Sequence, residues 1–296
     1  MAELIRISEL CSYIPGPTKI GVVQLGGGEV CLIDSGNDKS AGRAVRRLLE
    51  EQGWSLRAIF NTHSHADHIG GNQYLQAQTG CRIYAPAAEC PFVRHPLYEP
   101  AFLYGGFPPK ALQNKFLMAP ASEAEPLTAA ALPPGFEIIP LPGHSFEMVG
   151  FRTPDDVVFV ADSIMSRSTL EKYRISYTCD IAAHIRTLEM LPTLRASLFV
   201  PSHAEVTADI APAASYNLEQ MQHTAQLILS LCRTPISTGE LLKQLADALE
   251  ITLSFEQHAL IGSTLRSYLT WLQETARITP TIADNRLLWH TLGCRM

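Results

Sequence analysis

A surplus of positive charge is missing from this 296-residue chain: 23 lysines and arginines face 29 aspartates and glutamates, a formal net charge of −6. Tracking a phosphate backbone needs a basic surface, so neither nucleic acid nor another polyanion is an expected partner. Cysteine pairs are missing too. Cys11, Cys31, Cys81, Cys90, Cys179, Cys232 and Cys294 form an odd set without a CxxC, which points away from a disulfide framework or thiolate zinc site and toward small buried side chains. No run of eighteen apolar residues occurs, and the opening MAELIRISELCSYIPG lacks a basic segment followed by an apolar one. The expectation is therefore a cytoplasmic protein without a membrane partner. At 46% hydrophobic and 18% charged residues, the length suits two modest cores better than one.

What is present is an alternation of strand and helix patterns. GVVQLGGGEVCLIDSG places two apolar runs around three glycines, as a hairpin requires, and AGRAVRRLLEEQ sets Val45, Leu48 and Leu49 on one helical face. LRAIFNTH reads as a buried strand. A helix over 69–79, a strand over 82–85 and further strands over 137–141, 149–151 and 157–161 continue the series and predict an α/β layered domain. From Pro86 to about Pro134 the periodicity stops. Phe92, Tyr98, Phe102, Tyr104 and Phe107 are too apolar for a solvated tail, so this stretch reads as a functional loop, with disorder as the alternative.

After LFVPSHAEV, a strand and turn, a helical region runs to the C-terminus. STGELLKQLADALE carries a helix start signal and a stripe of Leu241, Leu242, Leu245 and Leu249. One or two helices follow, then a short hairpin around ADN, so the segment resembles a winged-helix module. Lys243, Arg266, Arg277, Arg286 and Arg295 are outnumbered by Glu240, Asp247, Glu250, Glu256, Glu274 and Asp284. That balance favours packing or dimerisation over DNA reading. The expected division is a catalytic domain over 1–212 and a helical, winged-helix-like extension over 213–296.

The chemistry concentrates in NTHSHADHIGG, where His63, His65, Asp67 and His68 fall within six residues. Alternate residues at the end of an extended segment project together, so His63 and His65 can share one ion while the turn delivers Asp67 and His68 to another. Gly70 and Gly71 allow the close backbone approach that such a turn needs. Imidazole and carboxylate donors suit zinc, iron or manganese.

The HxHxDH pattern closely resembles the metallo-β-lactamase superfamily, and the motifs LPGHSFEMVGF, VVFVADS and LFVPSHAEV supply His144, Asp162 and His203 in the family's order. The resemblance covers about residues 15–210. It implies a four-layered αββα sandwich, a first metal on His63, His65 and His144, a second on Asp67, His68 and His203, and Asp162 bridging them. Two divalent ions, zinc foremost and iron or manganese as substitutes, would share a water acidic enough to present hydroxide near neutral pH. Asp67 and Asp162 are placed to take its proton. Asp34 matches an aspartate that the family keeps near the metals, where it supports a ligand histidine; the alternative is a turn aspartate satisfying backbone amides. His95, His184, His223, His258 and His290 read as surface or structural, although His95 in the aromatic loop could touch substrate.

An aspartate at position 162 and a histidine directly after Asp67 look like the glyoxalase II and lactonase branches. The expected activity is hydrolysis of a small-molecule ester, thiolester or lactone. A di-iron redox member and a β-lactamase-like amide hydrolase are the alternatives. The acidic tail departs from glyoxalase II, which carries a basic cluster for the glutathione carboxylates. Tyr173 and Tyr177, 11 and 15 residues after Asp162, lie in a segment expected to pass over the site. Either phenol could donate to the substrate, or both could pack the helix over 181–191 onto the sheet.

Overall fold

Strict alternation along the strands decides which side chains enter which core. The computed structural model describes residues 3–292; Cys294 and Arg295 lie outside them. Among the described residues, seven strands lie in sequence order in one sheet: β1 (Ile5–Arg6), β2 (Cys11–Ile14), β3 (Ile20–Gly26), β4 (Glu29–Ile33), β5 (Ser55–Phe60), β6 (Arg82–Ala85) and β7 (Ala124–Pro126). Pairing is antiparallel as far as β4 and parallel from there to β7. A second sheet has the order β11-β10-β9-β8, from β8 (Glu137–Pro140), β9 (Val149–Arg152), β10 (Val157–Met165) and β11 (Leu198–His203).

The helices that flank these sheets are α1 (Lys39–Gln52), α2 (Ala66–Ile69), α3 (Asn72–Thr79), α4 (Cys90–Arg94), α5 (Tyr98–Tyr104), α6 (Arg167–Tyr173), α7 (Ile181–Met190) and α8 (Ala211–Leu231). Val22, Val30, Leu32, Ile59 and Ile83 face outward onto Val45, Leu48 and Leu49 of α1 and Leu75 of α3. Their neighbours Val23, Cys31, Ile33, Phe60 and Tyr84 face inward onto Phe136, Phe151 and Phe159. In β10 the same switch sends Val157 and Phe159 between the sheets and Val158 and Val160 toward Leu188 of α7 and Ala214 of α8. The result is helices, sheet, sheet, helices: the expected αββα sandwich.

Three sequence expectations are corrected. The helix over 69–79 is two helices, α2 and α3, broken at Gly70 and Gly71. A Cβ on Gly70 would stand 2.3 Å from the carbonyl carbon of Asn37, and one on Gly71 would stand 2.4 Å from the Ser35 carbonyl oxygen, so both must be glycine for the chain to pass the loop after β4. Gly70→Ala is expected to destabilise the fold by about 1–3 kcal/mol, since the obstacle is backbone that cannot rotate away. A chemical denaturation midpoint equal to that of the parent would contradict the clash. The segment expected to be irregular over 86–134 contains α4, α5 and β7, with Pro91 in the first turn of α4, where its missing N–H costs nothing. The strand expected to end at 161 continues to Met165. It does so through an irregularity: Ala161 has φ 50°, and the register against β11 shifts on both sides of it. Such bulges re-aim the following side chains, here Asp162.

Beyond β11, α8 spans two cores. Ala214 packs on the second sheet, while Ala225 and Ile228 join Leu241, Leu245, Leu265 and Leu269 in a third cluster. That cluster belongs to α9 (Thr238–Ala248), α10 (Phe255–Glu274) and a small sheet of order β12-β14-β13, from β12 (Ile236–Ser237), β13 (Ile278–Ala283) and β14 (Arg286–Thr291). A single helix, α10, fills the stretch read as one or two, started by a capping box between Ser254 and Gln257. Asp284 and Asn285 both take positive φ in the hairpin, as the ADN signal requires. No described helix is long and apolar enough to cross a membrane.

Candidate metal centre

The end of β5 carries the histidine loop, and Asp34 holds that loop at both ends. Positive φ at Asp34 (62°) turns its carboxylate away from β4; it accepts the Thr62 N–H and hydroxyl at 2.8 Å each, and lies 2.7 Å from His68 Nδ1. Both readings of Asp34 are therefore met by one side chain: it satisfies a backbone amide and it orients an imidazole.

All seven sequence-predicted donors converge. His65 Nδ1 stands 3.0 Å from His63 Nε2 and 2.9 Å from His144 Nε2. His203 Nε2 is 3.3 Å from Asp67 Oδ2, and His68 Nε2 is 3.6 Å from the same oxygen. Asp162 lies between the two sets, with His68 Nε2 and His203 Nε2 each at 3.1 Å and His144 Nε2 at 3.4 Å. Ligands about 2.0–2.1 Å from a tetrahedral zinc are about 3.3 Å from one another, so these separations match atoms sharing an ion. Three overlapping groups have that compactness: His63, His65 and His144; His63, His68 and Asp162; and Asp67, His68 and His203. His63 belongs to two of them.

Two observations show that the residues fit a cation. His68 Nε2 and Asp162 Oδ1, 3.1 Å apart, are buried and face each other without a well-directed hydrogen bond, an expensive state for two polar atoms that a shared cation would relieve. In addition, each imidazole turns one nitrogen into the cluster and its other nitrogen to a fixed partner. His63 Nδ1 meets the Thr62 hydroxyl (2.9 Å), His65 Nε2 the Glu99 carboxylate (3.6 Å), His68 Nδ1 Asp34, His144 Nδ1 the Tyr177 carbonyl (3.0 Å) and His203 Nδ1 the Pro17 carbonyl (2.8 Å). Such outer partners fix the tautomer and aim the inward lone pair.

The charges divide in the same way. Burial, followed by neighbouring imidazoles such as His68, pushes His63 far below the usual imidazole range; burial also pushes His144 far down, against the attraction of Asp162. Burial opposes charge on His68 and His203 as well, but Asp162 and Asp67 outweigh it, holding His68 well above its ordinary value and His203 at about 10. The carboxyls of Asp67 and Asp162 resist burial and stay ionised through those same histidines. The cluster thus holds neutral imidazoles at one end and ionised carboxylates at the other, whose charge draws protons onto His68 and His203 or, in their place, a cation.

Several residues that complete the site carry no sequence signal. Buried Glu89, at the start of α4, accepts hydrogen bonds from the Ser64 amide and hydroxyl through one oxygen, and from the Ser145 hydroxyl and Glu147 amide through the other. It ties the His63–His65 loop to the His144 loop. Thr18 donates to Asp67 Oδ2 at 2.7 Å. Tyr177 stands edge-on to His65 and His144, with ring centroids at 5.2 and 5.7 Å, and it also packs against the cluster of Leu103, Leu112, Leu117 and Ala259. Tyr173, largely exposed, lines the rim of the same cleft. His184, read as structural, is buried behind Gly143, and burial takes it down to about 4.

The aromatic segment read as a functional loop contributes little to the cleft above the donors. Phe92 and Phe102 pack on Phe146, tilted and edge-on, and Tyr98 packs edge-on to Phe92 and tilted to His95; of residues 92–107, Glu99 alone lines the cleft. The rings find one another because that is the apolar surface nearest to them. Phe116, Leu117 and the first turns of α10 take the place over the donors instead.

Comparison with known proteins agrees with this geometry. A family model described as the metallo-beta-lactamase superfamily matches residues 13–203. Among curated relatives, a hydroxyacylglutathione hydrolase of Cereibacter sphaeroides is 32% identical over 145 residues, 48% of this chain and 45% of that one. Another, of Methylococcus capsulatus, is 40% identical over 52 residues, 18% of this chain and 20% of that one. The chain thus spans less than half the length of these relatives. A metallo-beta-lactamase family protein of Thermus thermophilus superposes with a TM-score of 0.71 at 19% identity, covering 98% of both chains. A beta-lactamase domain protein of Burkholderia ambifaria reaches 0.76 at 13% identity, over 98% of this chain and 93% of that one. At such identities the two structures speak for the fold, whereas the family model runs through the strand ends that carry every one of the converging histidines and aspartates: the chain belongs to the metallo-beta-lactamase superfamily.

Proposed function

We propose that this protein is a metal-dependent hydrolase of a small-molecule thiolester, ester or lactone, with two divalent ions, zinc foremost, held by His63, His65, Asp67, His68, His144, Asp162 and His203. The observation that carries the reading is the convergence of these seven donors with every imidazole backed on its outer nitrogen. Partial similarity to hydroxyacylglutathione hydrolases supports a thiolester or related acyl substrate. The helical segment after residue 212 is proposed to work as part of the same enzyme, because it supplies one wall of the cleft.

Bound there, the ions supply an acidified water as nucleophile and a positive charge for the carbonyl oxygen. The chain's own part is to position and to move a proton. Asp67, steadied by Thr18, and Asp162, reached by three imidazoles, are ionised and face the cleft, so either can accept the proton of an attacking water. Tyr177 stays protonated because burial, and next Glu99, push its phenol well up, which leaves it a donor toward an acyl oxygen or leaving group; Tyr173 is the second candidate donor at the rim.

The test is metal analysis of protein purified without added metal, followed by turnover of thiolesters, lactones and β-lactams. Zinc with thiolester or lactone turnover is the expected result; two irons with oxygen uptake would overturn it. Tyr177→Phe keeps the ring and loses only the hydroxyl, so kcat is expected to fall by about 100-fold or more with stability and metal content unchanged. Two fully active Tyr173→Phe and Tyr177→Phe variants would return both residues to packing.

A further inference from the structure

The cleft above the donors has a volume of about 510 Å³, within the range that seats a drug-sized ligand. Its composition is uneven. The floor is His65, Asp67, His144, Asp162 and His203, while the walls are Phe116, Leu117, Leu170, Ile175, Leu260 and Ile261. Polar wall groups are few, chiefly Gln257, Ser176 and Thr169, and among the described residues no lysine or arginine lines the cleft. Two lysines stand at its mouth instead: Lys115 Nζ reaches Asp38 at 3.6 Å and lies 5.5 Å from the Phe116 ring centroid, and Lys172 Nζ lies 4.7 Å from the Tyr173 ring centroid. The one further acid, Glu99, is turned to His65.

This wall is built from three distant parts of the chain. Phe116 and Leu117 come from the loop before β7, Leu170 from α6, and Leu260 and Ile261 from α10. Leu260 packs against Leu103, Leu112, Leu117 and Ala259 and also lines the cleft. Phe116 is 75% exposed, a ring held at the mouth with little to cover it. An exposed ring and an aliphatic wall beside a charged floor select for a ligand with one polar, reactive end and one apolar end. A carboxylate seated farther in, among Leu170, Leu260 and Ile261, would be desolvated without a partner, a state that buried charges avoid.

We infer that the substrate carries an aliphatic or aromatic hydrocarbon group beside its scissile carbonyl, seated on Phe116, Leu170, Leu260 and Ile261, and that substrates with carboxylates on that side are disfavoured. The inference rests on the hydrolase reading for the word substrate, but the wall can be tested without turnover. The probes are thiolesters of uncharged N-acetylcysteamine with acyl chains from acetyl to octanoyl, and thioethers of the same lengths that cannot be hydrolysed. Binding of the thioethers to the metal-loaded protein, followed by calorimetry, is expected to tighten about threefold to fourfold per methylene until the cleft is filled. kcat/KM of the thiolesters should climb in parallel, and glutathione thiolesters of the same acyl groups should be at least about tenfold poorer.

Phe116→Ser, at an exposed position that cannot unfold the protein, should flatten the dependence on chain length with metal content retained; Leu260→Lys should do the same and improve the glutathione series relative to the neutral one. Chain-length-dependent binding with no turnover of any thiolester would uphold the wall and overturn hydrolysis of such substrates. Turnover or binding that is flat with chain length, unaltered in Phe116→Ser, would overturn the wall.

Discussion

Asp162→Ala is expected to release at least one ion per chain and to lower kcat/KM by more than the roughly 100-fold upper range for losing an outer partner of a metal ligand. Asp162 is 4% exposed and its two oxygens reach His68, His144 and His203 at 3.1–3.4 Å, so it is the one anion common to both halves of the cluster. Without it, imidazoles crowd together with only Asp67 to balance a cation at one end. Fewer donors and less negative charge both weaken binding. Asp162→Asn separates the two causes, since the amide keeps the volume and one acceptor but loses the charge. Metal analysis after dialysis against a weak chelator reads the outcome directly; an alanine variant holding two tightly bound ions would contradict the assignment.

Glu89→Ala should be the most damaging change among residues that touch neither metal nor substrate. The carboxylate is 1% exposed and accepts four hydrogen bonds, two from Ser64 and one each from Ser145 and Glu147. Each such bond to a charged acceptor contributes about 1.5–3 kcal/mol, and removing the acceptor strands four donors in the interior. A loss of about 3–5 kcal/mol in unfolding free energy is expected, together with a roughly 10–100-fold weaker metal affinity, because the His63–His65 loop and the His144 loop are no longer tied. Denaturation of the metal-free protein measures the first, and competition with a chelator the second. Glu89→Gln should recover part of both, since one oxygen acceptor remains. An alanine variant of unaltered stability and affinity would mean that the two loops are held by their strands alone.

The alternation of strands and helices and the four donors of HSHADH were legible in the chain because each depends on spacing along a short segment, whereas the four-layered sandwich and the donors His144, Asp162 and His203 were expected from the family resemblance. Period two separates Val22 from Val23 and Val158 from Phe159, and so assigns each to its core whatever lies opposite. HSHADH brings four donors to one strand end before any fold is known, and the glycine and ADN turns announce their hairpins by backbone geometry. Where the reading failed, composition had been asked to say what a residue touches. The aromatic segment is apolar, but nothing local tells Phe92 and Phe102 that Phe146, rather than the cleft, is the surface they meet, or that Tyr104 and Phe107 stay exposed. Glu89, an isolated acid in APAAECP, and Leu260 and Ile261, members of an ordinary helical stripe, look like their neighbours until the fold closes. The sequence by itself determined the alternation of strand and helix and, through four short motifs, which histidines and aspartates were candidates for the metals, since periodicity and motif are properties of adjacent residues. Only the tertiary structure decided what aims those donors and what walls the cleft above them, because Glu89 with Ser145, Pro17 with His203, and Leu117 with Leu260 meet across long stretches of chain, where no local pattern records the contact.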